Sequence, residues 1–213
     1  MSKNRIPDLV LALANSRKAK RPSGSRVRVI GDPLSDAKAA AAFLGSLVLP
    51  RPAGFPVAPV PVDEKVLTEV RDLRAAIEEI LAGVPTPNQE GCTSPDIFHR
   101  LAGPIGVLNR LSSDCPWVKT LGPGPRIAEI PVQPDLAGLL AAMCIEELAG
   151  CDLTRIKTCE RPECGHFFYD TTRNRGAKWH AENPCGWRAR SGRRPGGWPK
   201  SQPGTEARPT RSN

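Results

Sequence analysis

Aromatic side chains are scarce in this chain: four Trp, one Tyr and five Phe among 213 residues, with only two Met. Any core must therefore be built mainly from aliphatic residues and alanine. Long apolar runs are missing as well. The longest, Ala39 to Leu49, is eleven residues long and contains Gly45 and Ser46, far short of the roughly 20 residues that span a bilayer. Leu9 to Ala14 is too short for the apolar centre of a signal peptide and runs straight into Asn15, Ser16, Arg17 and Lys18. Histidine is scarce too, with three copies. The chain has no Gly-x-Ser-x-Gly, no phosphate-binding glycine loop ending in Lys-Ser/Thr, and no His-Glu-x-x-His. His99 stands alone, and Glu146 and Glu147 are adjacent, so they leave a helix on different faces rather than forming a carboxylate pair. These absences remove the common hydrolase and nucleotide-binding readings, and a non-enzymatic protein is expected.

Cysteine is present in an odd number, seven. Cys92, Cys115, Cys144 and Cys151 show no spacing that reads as a disulfide framework, which fits a reducing compartment, and a cytoplasmic protein is expected. The other three cysteines stand apart. Cys159-x4-Cys164-x15-His180-x4-Cys185 sets four soft donors in two close pairs within 27 residues. Four such donors make a closed tetrahedral site for one structural zinc ion, with no open position for a reacting water. Within the first pair, Pro162 to Gly165 forms a knuckle in which glycine supplies the positive φ of a tight turn. His166, two residues after Cys164, is an alternative to His180 as the fourth ligand. The interval between the pairs leaves room for a hairpin.

The segment Cys159-Glu-Arg-Pro-Glu-Cys164-Gly-His-Phe-Phe-Tyr-Asp-Thr-Thr-Arg-Asn174, followed by Lys178-Trp179-His180 and Cys185-Gly186-Trp187-Arg188, resembles the CGNR zinc finger. That family carries two Cys-x4-Cys pairs around a Phe-x-Asp and a Ser/Thr-Arg-Asn element. Here His180 takes the place of a cysteine, which keeps a zinc ligand, and Trp187 takes the place of the asparagine in Cys-Gly-Asn-Arg. A weaker likeness lies at the front. Leu9-Val-Leu-Ala-Leu-Ala-Asn15-Ser16 resembles the Leu-x-Leu-Asp-Phe-x-Asn-Thr start of the ABATE domain that precedes such fingers, with Ala12 where that pattern has its acidic residue. The resemblance implies a bacterial transcription regulator, often described as stress-related, whose first domain senses an effector it does not identify and whose finger binds DNA.

Charge places a working surface in the same region. Residues 1–154 hold 17 basic and 17 acidic side chains, whereas residues 155–213 hold 13 and 5, so the whole net charge of +8 lies in the last 59 residues. A basic patch of this kind releases condensed counterions from nucleic acid and gives salt-sensitive affinity. Arg173, Arg175 and Lys178 precede a ligand in a predicted helix capped by Thr171 or Thr172, and Arg188 and Arg190 follow Cys185. These five are the expected nucleic-acid contacts. Duplex DNA is the first expected partner, with RNA or an acidic protein as alternatives, and no membrane. Trp187, beside Arg188, is either packed or free to stack on a base. From Ser191 onward the chain is rich in Gly, Pro, Arg and Ser and is expected to be a disordered basic tail.

The first 150 residues read as helical. Val66, Val70, Leu73, Ile77 and Ile80 recur at steps of three and four between an Asp63 N-cap and a Gly83 stop. Further helices are expected over Ser35 to Leu49, from Ser94 with a break or kink at Gly103-Pro104, and over Pro134 to Leu148. Arg126 to Val132 is predicted as a strand or hairpin, and the proline-rich stretch from Pro50 to Pro61 as an extended connection. The expected architecture is mainly α: a multihelical N-terminal domain with a small β element (1–152), then a treble-clef-like zinc finger (153–191) and the basic tail (192–213).

Overall fold

The computed structural model describes residues 5–17, 31–47, 61–84, 94–115, 117–122, 126–131, 135–161 and 164–191. The predicted proline-rich connection over 50–60 and the basic tail beyond 191 lie outside the described residues, as does Cys92.

Helix α3, Glu64–Gly83, is the axis of the front domain. Asp63 caps it by accepting the Val66 N–H at 2.8 Å, and its three-and-four spacing buries Val66, Val70, Leu73, Ile77 and Ile80 on one face. Against α3 lie α1 (Asp8–Ala14), α4 (Ser94–Ser113) and α5 (Leu136–Gly150), while α2 (Ala37–Ser46) touches its side. Asp36 and Asp135 cap α2 and α5 in the same way as Asp63. The core is aliphatic, as the scarcity of aromatics requires: Val10, Leu13, Leu67, Leu73, Ile77, Leu111 and Leu140 are almost fully buried.

Three local outcomes refine the sequence reading. Helix α4 runs unbroken through Pro104, whose ring is buried. The missing N–H costs one helical bond, and packing of α4 between α3 and α5 offsets it. The expected strand around 126–132 is one half of an antiparallel hairpin, β1 (Trp117–Gly122) and β2 (Arg126–Pro131), in the register Trp117 to Pro131. Helix α1 forms where the sequence had offered only a short apolar run. Its N-terminus is closed by a side chain from α5: the buried carboxylate of Glu147 accepts the Leu9 N–H at 3.3 Å and the Val10 N–H at 3.0 Å. Burial pushes this carboxyl above its ordinary value, and the two N–H donors hold it back.

Asp32 and Arg74 fix the segment before α2. Arg74 is fully buried and forks onto both Asp32 oxygens, at 2.6 and 2.7 Å, while also donating to Ser16 Oγ at 3.1 Å. The Arg74 bond lowers the Asp32 carboxyl to about 2, against partial burial.

A single 3-10 turn, Leu153–Arg155, leads into a second antiparallel hairpin, β3 (Ile156–Thr158) and β4 (Phe167–Tyr169). This hairpin packs on α1 and α3, and Ile156 and Phe167 complete the hydrophobic core. The chain ends its described part with an irregular turn, Glu182–Gly186, and the short helix α6, Trp187–Ser191.

Candidate metal centre and basic surface

The knuckle that carries the first ligand pair is the loop of the β3–β4 hairpin. The hairpin therefore surrounds the first pair rather than lying between the two pairs as the sequence reading expected, because Cys159 follows β3 directly and Cys164 precedes β4. The loop is closed by main-chain bonds from Cys159 N–H to His166 O, 2.8 Å, and from Cys164 N–H to Arg161 O, 2.9 Å. Gly165 takes φ +60°, the left-handed conformation the tight turn needs.

The second pair arrives from the other side, on the turn before α6. Gly186 lies close under Trp179: a Cβ there would sit 3.0 Å from Trp179 Cε3 and against the flexible end of Glu182, so the ring would have to give by a few tenths of an ångström. This is a knuckle in a hairpin loop facing a ligand pair at the start of a helix, the arrangement of a treble clef.

The sulfurs of Cys159, Cys164 and Cys185 and a ring nitrogen of His180 all lie within 4.8 Å of one another. A tetrahedral zinc with Zn–S near 2.3 Å has edges of roughly 3.8 Å, so a contraction of about 1 Å brings the four donors to bonding distance. Cys159 and Cys185 are buried. Burial pushes the Cys164 thiol up to about 12, opposed by the His166 N–H and reinforced by the neighbouring Cys159 and Cys185. Three thiols crowded this closely become thiolates only around a cation. The donor set fits one structural zinc ion, which would tie the knuckle to the turn before α6 and, with four protein ligands, leave no open coordination position.

His166, the alternative ligand, stacks on the His180 ring with centroids 4.7 Å apart, and its Nδ1 lies 3.4 Å from Cys164 Sγ. His180 Nδ1 is also 3.4 Å from that sulfur. The set that closes around a single point contains His180.

Asp170, which composition and spacing did not single out, organises the loop between the pairs. It is 1 % exposed and accepts from Lys157 Nζ at 2.7 Å, Thr172 N–H at 2.9 Å and Ala177 N–H at 3.0 Å, as well as from the Thr172 hydroxyl. Burial would raise its carboxyl, but the Lys157 ammonium and these donors outweigh burial and hold it well below the usual range. Lys157 also donates to the Arg175 and Ala177 carbonyls.

This network corrects the predicted helix over 173–178. Residues 172–178 form a turn and extended chain, because Asp170 takes the Ala177 N–H, Lys157 takes the Arg175 and Ala177 carbonyls, and Arg175 adopts φ +52°. Thr172 caps this loop instead, its Oγ1 accepting the Gly176 N–H at 3.1 Å.

The basic residues divide by partner. Arg173 is exposed with no ion pair among the described residues. Arg175 reaches back to Asp152 at 3.0 Å and Thr154 at 2.9 Å, and Lys178 reaches Glu160 at 3.5 Å. Arg190 pairs with Glu182 and lies over the Trp179 ring, 5.4 Å from its centroid. Arg188 is half-buried beside Trp187, which is 61 % exposed.

No described helix is long and apolar enough to cross a membrane. No curated protein matches the chain. Family models match both of its parts: residues 155–194 fit the CGNR zinc finger, and residues 7–150 fit ABATE, described as "Putative stress-induced transcription regulator". With that match spanning most of its length and the finger's ligands gathered behind it, the chain belongs to the ABATE family and carries a C-terminal CGNR zinc finger.

Proposed function

We propose that the chain is a DNA-binding transcription regulator, without catalytic activity, in which the zinc-braced finger contacts duplex DNA and the helical domain is the regulatory part. The observation that carries this reading is the confinement of the net +8 to the residues from 155 onward, joined to a scaffold that holds Arg173, Arg175, Lys178 and Arg190 at the surface. The ion pairs of the last three are exposed, and exposed pairs contribute only about 0–1 kcal/mol. Phosphates can replace Asp152, Glu160 and Glu182 as partners at little cost. Arg173 needs no such exchange.

The exposure of Trp187 supports a second reading, a single-stranded RNA partner held by base stacking. Selection of a random duplex DNA pool by the zinc-loaded full chain at physiological salt, with single-stranded RNA as competitor, separates the two. An enriched motif that RNA does not displace supports the regulator. Displacement by RNA supports the second reading, and retention of neither would leave an acidic protein partner.

A further inference from the structure

Beside the metal centre, where the two domains meet, lies a cavity of about 650 Å³. Its size falls within the roughly 300–1,000 Å³ of small-molecule sites. Leu11 and Ala12 of α1 and Phe43 of α2 form one wall; His166, Phe168 and His180 of the finger form the other. Aromatic rings are scarce in this chain, yet they gather here, and the stacked His166 and His180 rings present a ready planar surface. Among the described residues no lysine or arginine lines the cavity, although the net charge of +8 lies from residue 155 onward, and the carboxylate among its described lining residues is that of Asp8. An anion is therefore disfavoured, and a neutral ring system gains burial and stacking together.

We infer that this seam binds an uncharged, planar aromatic small molecule, and that the occupant packs against His180 on the cavity side of the metal centre. The site is independent of the nucleic-acid surface, since none of the five proposed DNA contacts lines it. Ala12 is its most useful handle. It is partly exposed on α1, so a larger side chain there projects into the cavity rather than into the core.

The test is titration of the zinc-loaded full chain with the neutral fluorophore N-phenylnaphthylamine, alongside Ala12→Trp, which fills the space, and Ala12→Asp, which places a second carboxylate in the wall. One zinc per chain and an unchanged thermal midpoint identify the variants that fold. The wild type is expected to bind one dye saturably, with affinity reduced by about tenfold or more in each folded variant. Transfer of zinc to a colorimetric chelator is expected to slow at saturating dye. Absence of saturable binding, affinity that survives in a folded variant, or zinc transfer indifferent to the dye would each overturn the assignment. No DNA enters the experiment, so its outcome is separate from that of the duplex selection.

Discussion

The side-chain amide of Asn15 pairs with both main-chain groups of Phe167, donating to its carbonyl at 2.8 Å and accepting its N–H at 2.9 Å. The two residues are 152 positions apart. Asn15 follows the last turn of α1, so its carboxamide stands in for a missing third strand beside β4. The front domain and the finger are thereby held by directed bonds as well as by the burial of Phe167.

Asn15→Ala removes two partly buried hydrogen bonds worth about 1 kcal/mol each. The finger should keep its zinc, because no ligand is touched, while its docking loosens. Hydrogen exchange read at the Phe167 amide should accelerate by about tenfold or more. Protection equal to wild type would show that burial of Phe167 alone holds the seam.

The two histidines differ in role although both lie 3.4 Å from the Cys164 sulfur. His180→Ala takes a donor from the four that close around one point, so zinc content should fall well below one per chain, as it should for Cys159→Ser and Cys185→Ser. His166→Ala removes a ring that stacks on His180 and contacts the Cys164 sulfur from outside the set of four, and should leave the content at one. Metal analysis after gel filtration decides the matter; the reverse pattern would transfer the ligand role to His166.

Asp32→Asn leaves the Arg74 guanidinium buried without its charged partner. Breaking a buried pair costs about 3–5 kcal/mol, and partial exposure of Asp32 moves the expected loss to about 2–3 kcal/mol. The pH dependence has a definite sign. The Asp32 carboxyl sits near 2, below its ordinary 3.8, so its contribution is fully present above pH 3.8 and is lost as pH falls through about 2. The difference between wild type and variant in urea melts should hold steady from neutral pH down to about 4 and narrow below it. A difference that already narrows above pH 5 would implicate another group.

The sequence makes some of this legible and hides the rest for identifiable reasons. Helix α3 could be read because its cap, its apolar period and its stop lie within one segment, and each acts locally. The metal ligands could be read because zinc demands particular donor atoms in close pairs. Helix α1 was hidden because much of its stabilisation is distant: Glu147 closes its N-terminus from 137 residues away, and no local pattern announces that. The loop over 172–178 was misread as helical for the opposite reason. Thr172 is a good helix cap locally, but Asp170 and Lys157 compete for the same backbone groups and prevail. Charge counting located the basic surface without showing that Asp152, Glu160 and Glu182 already engage three of its members.

Asp170 and Lys157 provide the most direct test of how the finger is held. Their carboxylate and ammonium meet at 2.7 Å with side chains 0 % and 17 % exposed, and the carboxylate also fixes Thr172 and Ala177. Asp170→Asn keeps the shape but removes the charge and turns one acceptor into a donor facing other donors. The loop that leads to His180 should lose its frame, and zinc affinity should fall by about a hundredfold, equivalent to roughly 3 kcal/mol. Lys157→Met alone should cost nearly as much, since it leaves the Asp170 carboxylate buried without its cation. The double variant should then cost much less than the sum of the two single ones, because both remove the same interaction. Chelator competition on the four proteins measures this directly. Simple additivity would mean that the ion pair is incidental and that the Asp170 bonds to Thr172 and Ala177 hold the loop by themselves.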